Sequence, residues 1–592
     1  MKDQGSVDGV PQYLMPYIVK QDPSLYTPMD HASWRFILKI SQSFFAKRAH
    51  QKYLDGLVET GISIERIPLV QEMSDRLKKF NWRAVPVSGF IPPAVFMEFL
   101  SLGILPIACD MRSIDHLAYT PAPDIVHEAA GHAPIIADPE YASYLRSYGE
   151  ISRKSIISSQ DMNVYYAIRI LSDTKEDPAS TPEQIEAAQK KLDDALGAVT
   201  FVSEATLLSR MAWWTFEYGM VGSLEDPKIY GAGLLSSMGE SYHCFDPTVK
   251  RLPFSLDCIE MSYDITRPQP QLYVAPDFHQ LKNALEDLAG RMAFRRGGVE
   301  GLEKAKMANS PTTVVLDSGI QVSGVLTDYF VQGEQRPYYV KWSGPTQLSF
   351  GDQQLEGQGA DYHREGYSSP IEDISEDDLK KAGFELGGMG KLVFPSGVVL
   401  EGKWIDVLRK NNRIVLLTFD QCTVSRDVGG RVEFLFRPEW GKFDIVCGRK
   451  VVSVFGGAAD RARYLKDTGG FNQEPGRQKS NLTEKNKELN TLYAELRRLR
   501  ENEFRGKTPG GTHEENSKKG SDFSVSLTHI YASLNTKYPK DWLLRFEILE
   551  LLHTRQIEVP WRKDLLNQLK QLAKESTEKA EMIQRGLGLI ES

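Results

Sequence analysis

Wound at about 100° per residue, the stretch from Pro23 to Val58 places Trp34, Ile37, Leu38, Phe44 and Phe45 on one side, the apolar stripe of a core-facing helix. Helical periodicity dominates residues 11–302, with one strand-like run ending Val85-Pro86-Val87-Ser88-Gly89-Phe90. Thr181-Pro182-Glu183-Gln184 has the chemistry of a helix start: a hydroxyl at the N-cap, proline at the first helical position and glutamine at the third. That helix is predicted to run to about Leu196, with Gly197 as its stop. From Pro311 to Gly457 the period changes. Short alternating runs rich in Val, Thr, Phe and Tyr predict strands. A frame S-G-x-x-x-x-G-x-x-x-D occurs twice there, as Ser318-Gly319 with Gly324 and Asp328, and as Ser396-Gly397 with Gly402 and Asp406. Each copy predicts a Ser-Gly hairpin, and two copies predict paired small β modules, because a solenoid needs more repeats. Gly469 to Lys479 reads as a linker. Leu482, Leu489, Leu492, Leu496 and Leu499 then recur at heptad-like spacing on a charged helix. Arg505 to Asp522 is rich in Gly, Lys and Ser and reads as disordered. Trp542 to Leu552 and Asp564 to Leu572 read as amphipathic helices that pack with the heptad helix.

A chain of 592 residues is too long for one hydrophobic core. The pattern divides it into a mainly α domain at 11–302 with a helical insertion at about 151–200, a β-rich domain with an internal repeat at 311–460, and a helical, coiled-coil-like region at 478–592 that contains the disordered loop 505–522. The formal net charge of −8 argues against nucleic acid as a partner. Five scattered cysteines form no C-x-x-C pair and imply a reducing compartment. Met1 to Val10 has no apolar signal core and no run of eighteen apolar residues exists, so a cytoplasmic protein with no membrane partner is expected.

Candidate chemistry concentrates between Tyr119 and Pro134. His127 and His132 stand five residues apart, Glu128 adjoins the first and Asp124 lies three residues upstream, a metal-ligand composition fenced by prolines. In an α-helix five residues turn the second histidine roughly 140° from the first. Both reach one metal only if the helix ends between them, and Gly131 and Pro134 are placed to end it. A zinc hydrolase would use the two histidines with Glu128 as base, but its spacing is H-E-x-x-H, one residue shorter. Glu217, alone inside Ala212-Trp213-Trp214-Thr215-Phe216-Glu217-Tyr218-Gly219, is the best third ligand, because a carboxylate in an apolar run must be paired or metal-bound; Glu204 is the next to consider. Asp124 reads equally as a support for the ligands and as a plain helix N-cap.

The string Tyr119, Thr120, Pro121, Pro123, Asp124, His127, Glu128, Gly131, His132 and Pro134 resembles the signature of the pterin-dependent aromatic amino acid hydroxylases, the family of phenylalanine, tyrosine and tryptophan hydroxylases. Ala212 to Gly219 resembles its W-F-T-x-E-F-G, and Gly231 to Glu240 its G-A-G-L-L-S-S-x-G-E. The resemblance covers roughly residues 23 to 295. It implies an iron(II) site of His127, His132 and Glu217. It implies tetrahydrobiopterin or a related tetrahydropterin at Gly89, Phe90, Ile91 and Phe96, with Phe96 stacking on the ring, and O2 as co-substrate. Glu128, Asp124 and Ser236 would support catalysis, Ser236 from behind an iron-bound histidine. Arg112 would clamp the carboxylate of an amino acid substrate, with Tyr119, Thr120, Pro123, Trp213, Tyr218 and Ile265 around it. The implied activity is ring hydroxylation of a free aromatic amino acid, with L-phenylalanine to L-tyrosine the first choice. An apolar residue at the position of Ile265 disfavours a tyrosine hydroxylase and leaves a tryptophan hydroxylase open. Three departures stand out. Pro92 and Pro93 replace hydroxyl residues and have no N–H to offer a pterin. Pro106 stands where a histidine is common, and Ala129-Ala130 replace bulkier residues. From other classes, a zinc-dependent hydrolase and a non-catalytic scaffold that binds a partner through its tail remain as alternatives. Every residue this chemistry needs precedes Arg296. Residues 1–305 are therefore expected to fold and act alone, leaving the tail to regulation, localisation or a homo-oligomer contact through the C-terminal helical region.

Overall fold

The computed structural model describes residues 9–591 apart from 90, 119–122, 177–179, 266, 334–335, 470–476, 503–512 and 576. The chain forms two compact units. One comprises Tyr17–Arg146, Met211–Leu281 and Pro475–Ser592; the other comprises Met1–Pro16, Ser147–Arg210 and Lys282–Glu474.

The first unit is built around the helix Pro28–Arg48. Thr27 caps it: its hydroxyl accepts from Asp30 N at 3.1 Å, and the Asp30 carboxylate accepts from Thr27 N at 2.8 Å. Trp34, Ile37, Leu38 and Phe45 of the expected stripe are buried, and Phe44 is half-buried. The opposite face is buried as well. Phe36 sits edge-on to Trp542 and to Phe546, with centroids 5.0 Å away in each case. Beside it Arg35 binds Glu65, Glu547 and Glu550, Lys39 binds Glu550, and Arg500 reaches Glu547 at 2.8 Å and Glu550 at 2.6 Å. A helix buried all round lies inside a unit, not on its surface. Here the second face is covered by the C-terminal helices Lys487–Asn502, Leu543–Thr554 and Thr577–Glu591. Leu492 and Leu496 face inward in this bundle, whereas Leu482 precedes the first of these helices and is exposed. A further helix, His513–Lys537, begins inside the stretch expected to be disordered; residues 503–512 of that stretch lie outside the described residues.

Two small sheets complete this unit. Arg83–Val87 and Ile104–Ala108 pair in parallel, joined by the helix Pro93–Ser101. The strands Pro227–Ile229, Met220–Gly222, Gln271–Ala275 and Lys250–Pro253 lie in that order in a second sheet.

In the other unit Ser159–Glu176 and Pro182–Gly197 form a helical hairpin with its own small core of Ala167, Leu171, Ala188 and Leu192. Thr181 and Gln184 make a reciprocal capping box at the start of the second helix. Two antiparallel sheets follow. In the first, Pro311–Leu316, Ile320–Gln332 and Arg336–Phe350 are successive neighbours; in the second, Met389–Val393, Val399–Lys410 and Arg413–Val428. The pairing of the two long strands shifts three times in each sheet: at Ser323/Val325, Leu326/Asp328 and Phe330/Val331, and at Glu401/Lys403, Trp404/Asp406 and Leu408/Arg409. Gly324 and Gly402 sit in the first of these bulges, and Asp328 and Asp406 close the second. Among the described residues no helix is long and apolar enough to cross a membrane.

Two outcomes follow. Residues 1–305 alone would bare Phe36 and leave Arg35 with Glu65 as its only carboxylate. That fragment is expected to be insoluble, or to lose a cooperative melt, and to be restored by co-expression with residues 475–592; soluble yield and thermal unfolding read this. Glu550 gives a pH signature. Burial opposes its charge, but Arg500, Arg35 and Lys39 outweigh burial and hold its pKa at about 2, against an ordinary 4.5. A depressed pKa stabilises the fold above the unfolded value and the benefit fades as pH falls towards the folded one, here by about 3 kcal/mol in all. The stability gap between wild type and Glu550→Gln, measured by urea unfolding, is expected to be widest above pH 4.5 and to narrow towards pH 2.

Candidate metal centre

Two short π-helices, Val126–His132 and Trp213–Glu217, carry the centre. A π-turn closes from residue i to i+5, so residues five apart stand one above the other. His127 and His132 therefore present their rings to the same side with no break between them. The helix end expected at Gly131 is absent. Gly131 lies within the π-turn, and a Cβ there would meet Ala232 O at 2.8 Å, so this glycine permits close packing on the helix Ala232–Ser236. The two imidazole centroids are 5.0 Å apart at 88°. Glu217 faces both rings: Oε2 lies 3.3 Å from His127 Nε2, and Oε1 lies 3.3 Å from His132 Nε2.

These groups fit a divalent cation. His132 is 1% exposed, its Nδ1 has no hydrogen-bond partner among the described residues and its Nε2 faces only carboxylates, Glu217 at 3.3 Å and Glu128 at 4.0 Å, a poor set of partners for a buried imidazole without a ligand. The contacts of His127 fix which nitrogen faces the centre. Ser236 Oγ donates its one hydrogen to Ala232 O at 2.7 Å, so at 3.0 Å from His127 Nδ1 it must accept. Nδ1 carries the proton and Nε2 is left for the metal. Without a cation, burial would lower the pKa of His127, but Glu217 outweighs burial and pushes it up to about 9. Burial likewise opposes the charge on Glu217, yet His132 and His127 hold its pKa far below the usual range. Glu128 is also close, with Oε2 4.0 Å from His132 Nε2 and unpartnered. Burial raises its pKa more than the two imidazoles lower it, which favours the neutral acid.

Arg112 and Asp124 form a buried bidentate pair: Nε to Oδ2 and Nη2 to Oδ1, both 2.7 Å. Asp124 Oδ1 also accepts from His127 N at 3.0 Å, so the same carboxylate caps the π-helix and holds the arginine. Arg112 Nη1 donates to Ser236 O at 3.0 Å. One N–H on each terminal nitrogen of the guanidinium is left for another acceptor.

The aromatic wall is a three-ring stack. Trp213 lies against Tyr218 at 4.4 Å and 26°, and against Tyr263 at 4.2 Å and 7°. Trp213 Nε1 donates to Gln269 Oε1 at 3.2 Å, and Gln269 Nε2 donates to Asp264 O and Arg267 O, which pins the loop that carries Ile265. The Phe96 ring is 6.4 Å from that of His132. Gly89 has φ +60°, and nothing lies within 4 Å of where its Cβ would be, so the backbone there is open to a flat group. Ile91 and Pro123 are half-buried. Phe90, Tyr119 and Thr120 lie outside the described residues. Glu204 is committed elsewhere, accepting from Ala293 N at 2.7 Å and from Ile156 N and Lys304 Nζ at 3.2 Å.

Sequence reasoning missed Tyr263, Gln269 and Asp110. Asp110 carried the signal that identified Glu217: a carboxylate in an apolar run, here Ile107-Ala108-Cys109-Asp110-Met111.

Comparison with known proteins gives a consistent result. Residues 20–166 and 189–296 match a family described as biopterin-dependent aromatic amino acid hydroxylase. The phenylalanine-4-hydroxylase of Ralstonia nicotianae is 27% identical over 286 residues, 46% of this chain and 77% of that protein. That of Pseudomonas aeruginosa is 28% identical over 266 residues, 44% of this chain and 84% of that protein. A crystal structure of phenylalanine hydroxylase from Chromobacterium violaceum with iron and phenylalanine bound is similar at 25% identity and a TM-score of 0.35, over 47% of this chain and 87% of that chain. Residues 20–166 and 189–296, less than half of the chain, thus form a domain of the biopterin-dependent aromatic amino acid hydroxylase family.

Proposed function

We propose that this chain is a pterin-dependent monooxygenase that holds iron(II) through His127, His132 and Glu217 and converts free L-phenylalanine to L-tyrosine. The observation that carries the reading is the convergence of two imidazole Nε2 atoms on one carboxylate, each 3.3 Å away, one of them on the almost wholly buried His132. Two imidazoles and one carboxylate on one face of a metal leave positions open for exogenous ligands, the set suited to non-haem iron(II). The bound iron and a tetrahydropterin, tetrahydrobiopterin or a relative, would supply O2 activation, with two electrons from the pterin.

The chain's own groups position and insulate this chemistry. Ser236 fixes the His127 ring, and the charge of Glu217 balances the cation. The open backbone at Gly89, with Ile91 and the ring of Phe96, would offer an edge and a face to the pterin, and the family resemblance adds Phe90 to that set. Pro92 and Pro93 give no N–H there, and Pro93 instead begins the helix that carries Phe96. Arg112, held rigid by Asp124, offers its remaining N–H groups to the substrate carboxylate. Pro123, Trp213 and Tyr218 would wall the ring pocket, a role the family resemblance also gives Tyr119 and Thr120, and the apolar Ile265 suits an unsubstituted ring. Glu128, with Oε2 4.0 Å from His132 Nε2, stands within reach of a group bound at the centre.

We also read the β-rich half as two copies of one module. Counted from the hairpin glycines Gly319 and Gly397, all three register shifts fall at equivalent residues, which supports duplication. Five buried free cysteines suit a reducing, cytoplasmic setting.

Product analysis tests the activity. Anaerobically iron-loaded protein, given tetrahydrobiopterin, O2 and each aromatic amino acid in turn, is expected to form tyrosine from phenylalanine. Iron-replete protein that yields only hydroxylated tryptophan, or no product, would defeat the reading. Metal titration tests the ligands. Glu217→Ala is expected to lose stoichiometric iron, and Ser236→Ala to bind iron roughly 10- to 100-fold more weakly. A Glu217→Ala protein with full iron and full turnover would remove that ligand from the scheme.

A further inference from the structure

Asp110 binds two backbone N–H groups from distant parts of the chain. It follows the strand Ile104–Ala108, which lies parallel beside Arg83–Val87, with Cys109 N donating to Val87 O at 2.9 Å. Its carboxylate therefore reaches the loop that leaves the first strand. Oδ2 accepts from Gly89 N at 3.0 Å, and Oδ1 accepts from Lys479 N at 2.7 Å. Burial raises the pKa of Asp110, and the two N–H groups oppose that rise. The carboxylate is thus desolvated, and these donors are what compensate it.

Lys479 belongs to an extended segment, residues 477–486, held along its length. Ser88 Oγ donates to Arg477 O at 2.7 Å, Asp22 N to Gln478 Oε1 at 2.7 Å and Ser480 Oγ to Leu25 O at 2.8 Å. Asn481 Nδ2 donates to Asp30 Oδ1 at 2.8 Å and to Met111 O at 2.9 Å. Asn486 Nδ2 then closes on Asn481 O at 2.8 Å, next to the start of the helix Lys487–Asn502. Two of the anchor points, Ser88 and Met111, adjoin Gly89 and Arg112. Gly89 has a left-handed φ of +60°, and no atom of the described residues lies within 4 Å of its open side. Its hydrogen bond to Asp110 is what sets it.

We propose that residues 477–486 are a strap that, through Asp110 and Ser88, fixes the backbone at Ser88 and Gly89 where the cofactor loop begins, with Asp110 and Asn481 as positioning residues for pterin binding. This rests on the pterin reading of the site. The strap lies beyond residue 296, where the family match ends, so it is support from outside the matched domain. It also makes cofactor affinity depend on the C-terminal bundle, without any strap residue needing to touch the pterin.

The test uses the full chain. Asp110→Asn keeps the size but cannot accept from both N–H groups, because one oxygen becomes a donor. Asn481→Ala releases the strap from Asp30 and Met111. The affinity for tetrahydrobiopterin is measured by anaerobic calorimetry without amino acid, alongside iron content, KM for phenylalanine and melting temperature. Asp110→Asn is expected to weaken tetrahydrobiopterin binding about tenfold and Asn481→Ala a few-fold. Iron content and KM for phenylalanine should hold, while KM for the pterin rises. The double variant should bind less weakly than the two single losses multiplied together, because Asp110 and Asn481 hold the same strap. Wild-type pterin affinity in a normally melting Asn481→Ala protein would overturn the strap. This arm does not depend on whether Asp110→Asn folds. Iron-loaded wild type that binds no tetrahydrobiopterin would instead defeat the reading of the site, and the strap's role with it.

Discussion

Holding the half-buried carboxylate of Glu217 between His127 and His132 is the constraint on which the site depends. Desolvation opposes charge on the carboxylate and on His127, and only their mutual attraction or a cation between them offsets it. The π-turns exist in this context. An α-helical Val126–His132 would aim the rings apart, leaving that carboxylate with one partner. The surrounding packing keeps the strained winding in place. Gly131 lies against Ala232, and a Cβ at Gly233 would meet the Tyr218 ring at 2.6 Å, so the helix Ala232–Ser236 approaches both ligand segments closely enough for Ser236 to reach His127. Asp124 finishes the arrangement by capping one π-helix and holding Arg112 with the same two oxygens.

Carboxylates also tie the far end of the chain to its beginning. Asp110 holds Lys479, Asp30 holds Asn481, and Glu547 and Glu550 meet Arg35 and Arg500. Asp30, Glu547 and Glu550 are buried, so a shifted register would leave a charge unpaired there at a cost of several kcal/mol, while the half-buried Asp110 adds a weaker constraint. Apolar contacts such as Phe36 on Trp542 and Phe546 supply adhesion without that selectivity. Together they explain why Pro475–Ser592 belongs to the same compact unit as the metal centre.

Local chemistry was the legible part of the sequence. The cap at Thr181 and the helix after it, the buried stripe on Pro28–Arg48 and the histidine-glutamate cluster all follow from short-range rules. Two things were hidden. The histidine spacing was weighed against an α-helix, and nothing in His127-Glu128-Ala129-Ala130-Gly131-His132 marks a π-turn, which tertiary packing imposes. The second buried face of Pro28–Arg48 was hidden because its stripe had already accounted for one apolar side. Phe36 and Arg35 fall outside that stripe, and only the partner helices, more than four hundred residues later, reveal them as core.

The repeated frame of the β-rich half shows the same division in reverse. Its serine-glycine pair is a local signal, a hairpin glycine with φ +89° at Gly319 and +84° at Gly397. The second glycine and the aspartate are not local. A Cβ at Gly324 would meet Thr346 Oγ1 at 2.9 Å, and one at Gly402 would meet Cys422 Cα at 3.0 Å, across the bulge from the neighbouring strand. The spacing from hairpin glycine to bulge glycine to aspartate therefore measures how far along each long strand the sheet must bend. A frame that looked like a turn motif is better understood as a ruler for curvature, with only its first two residues belonging to the turn.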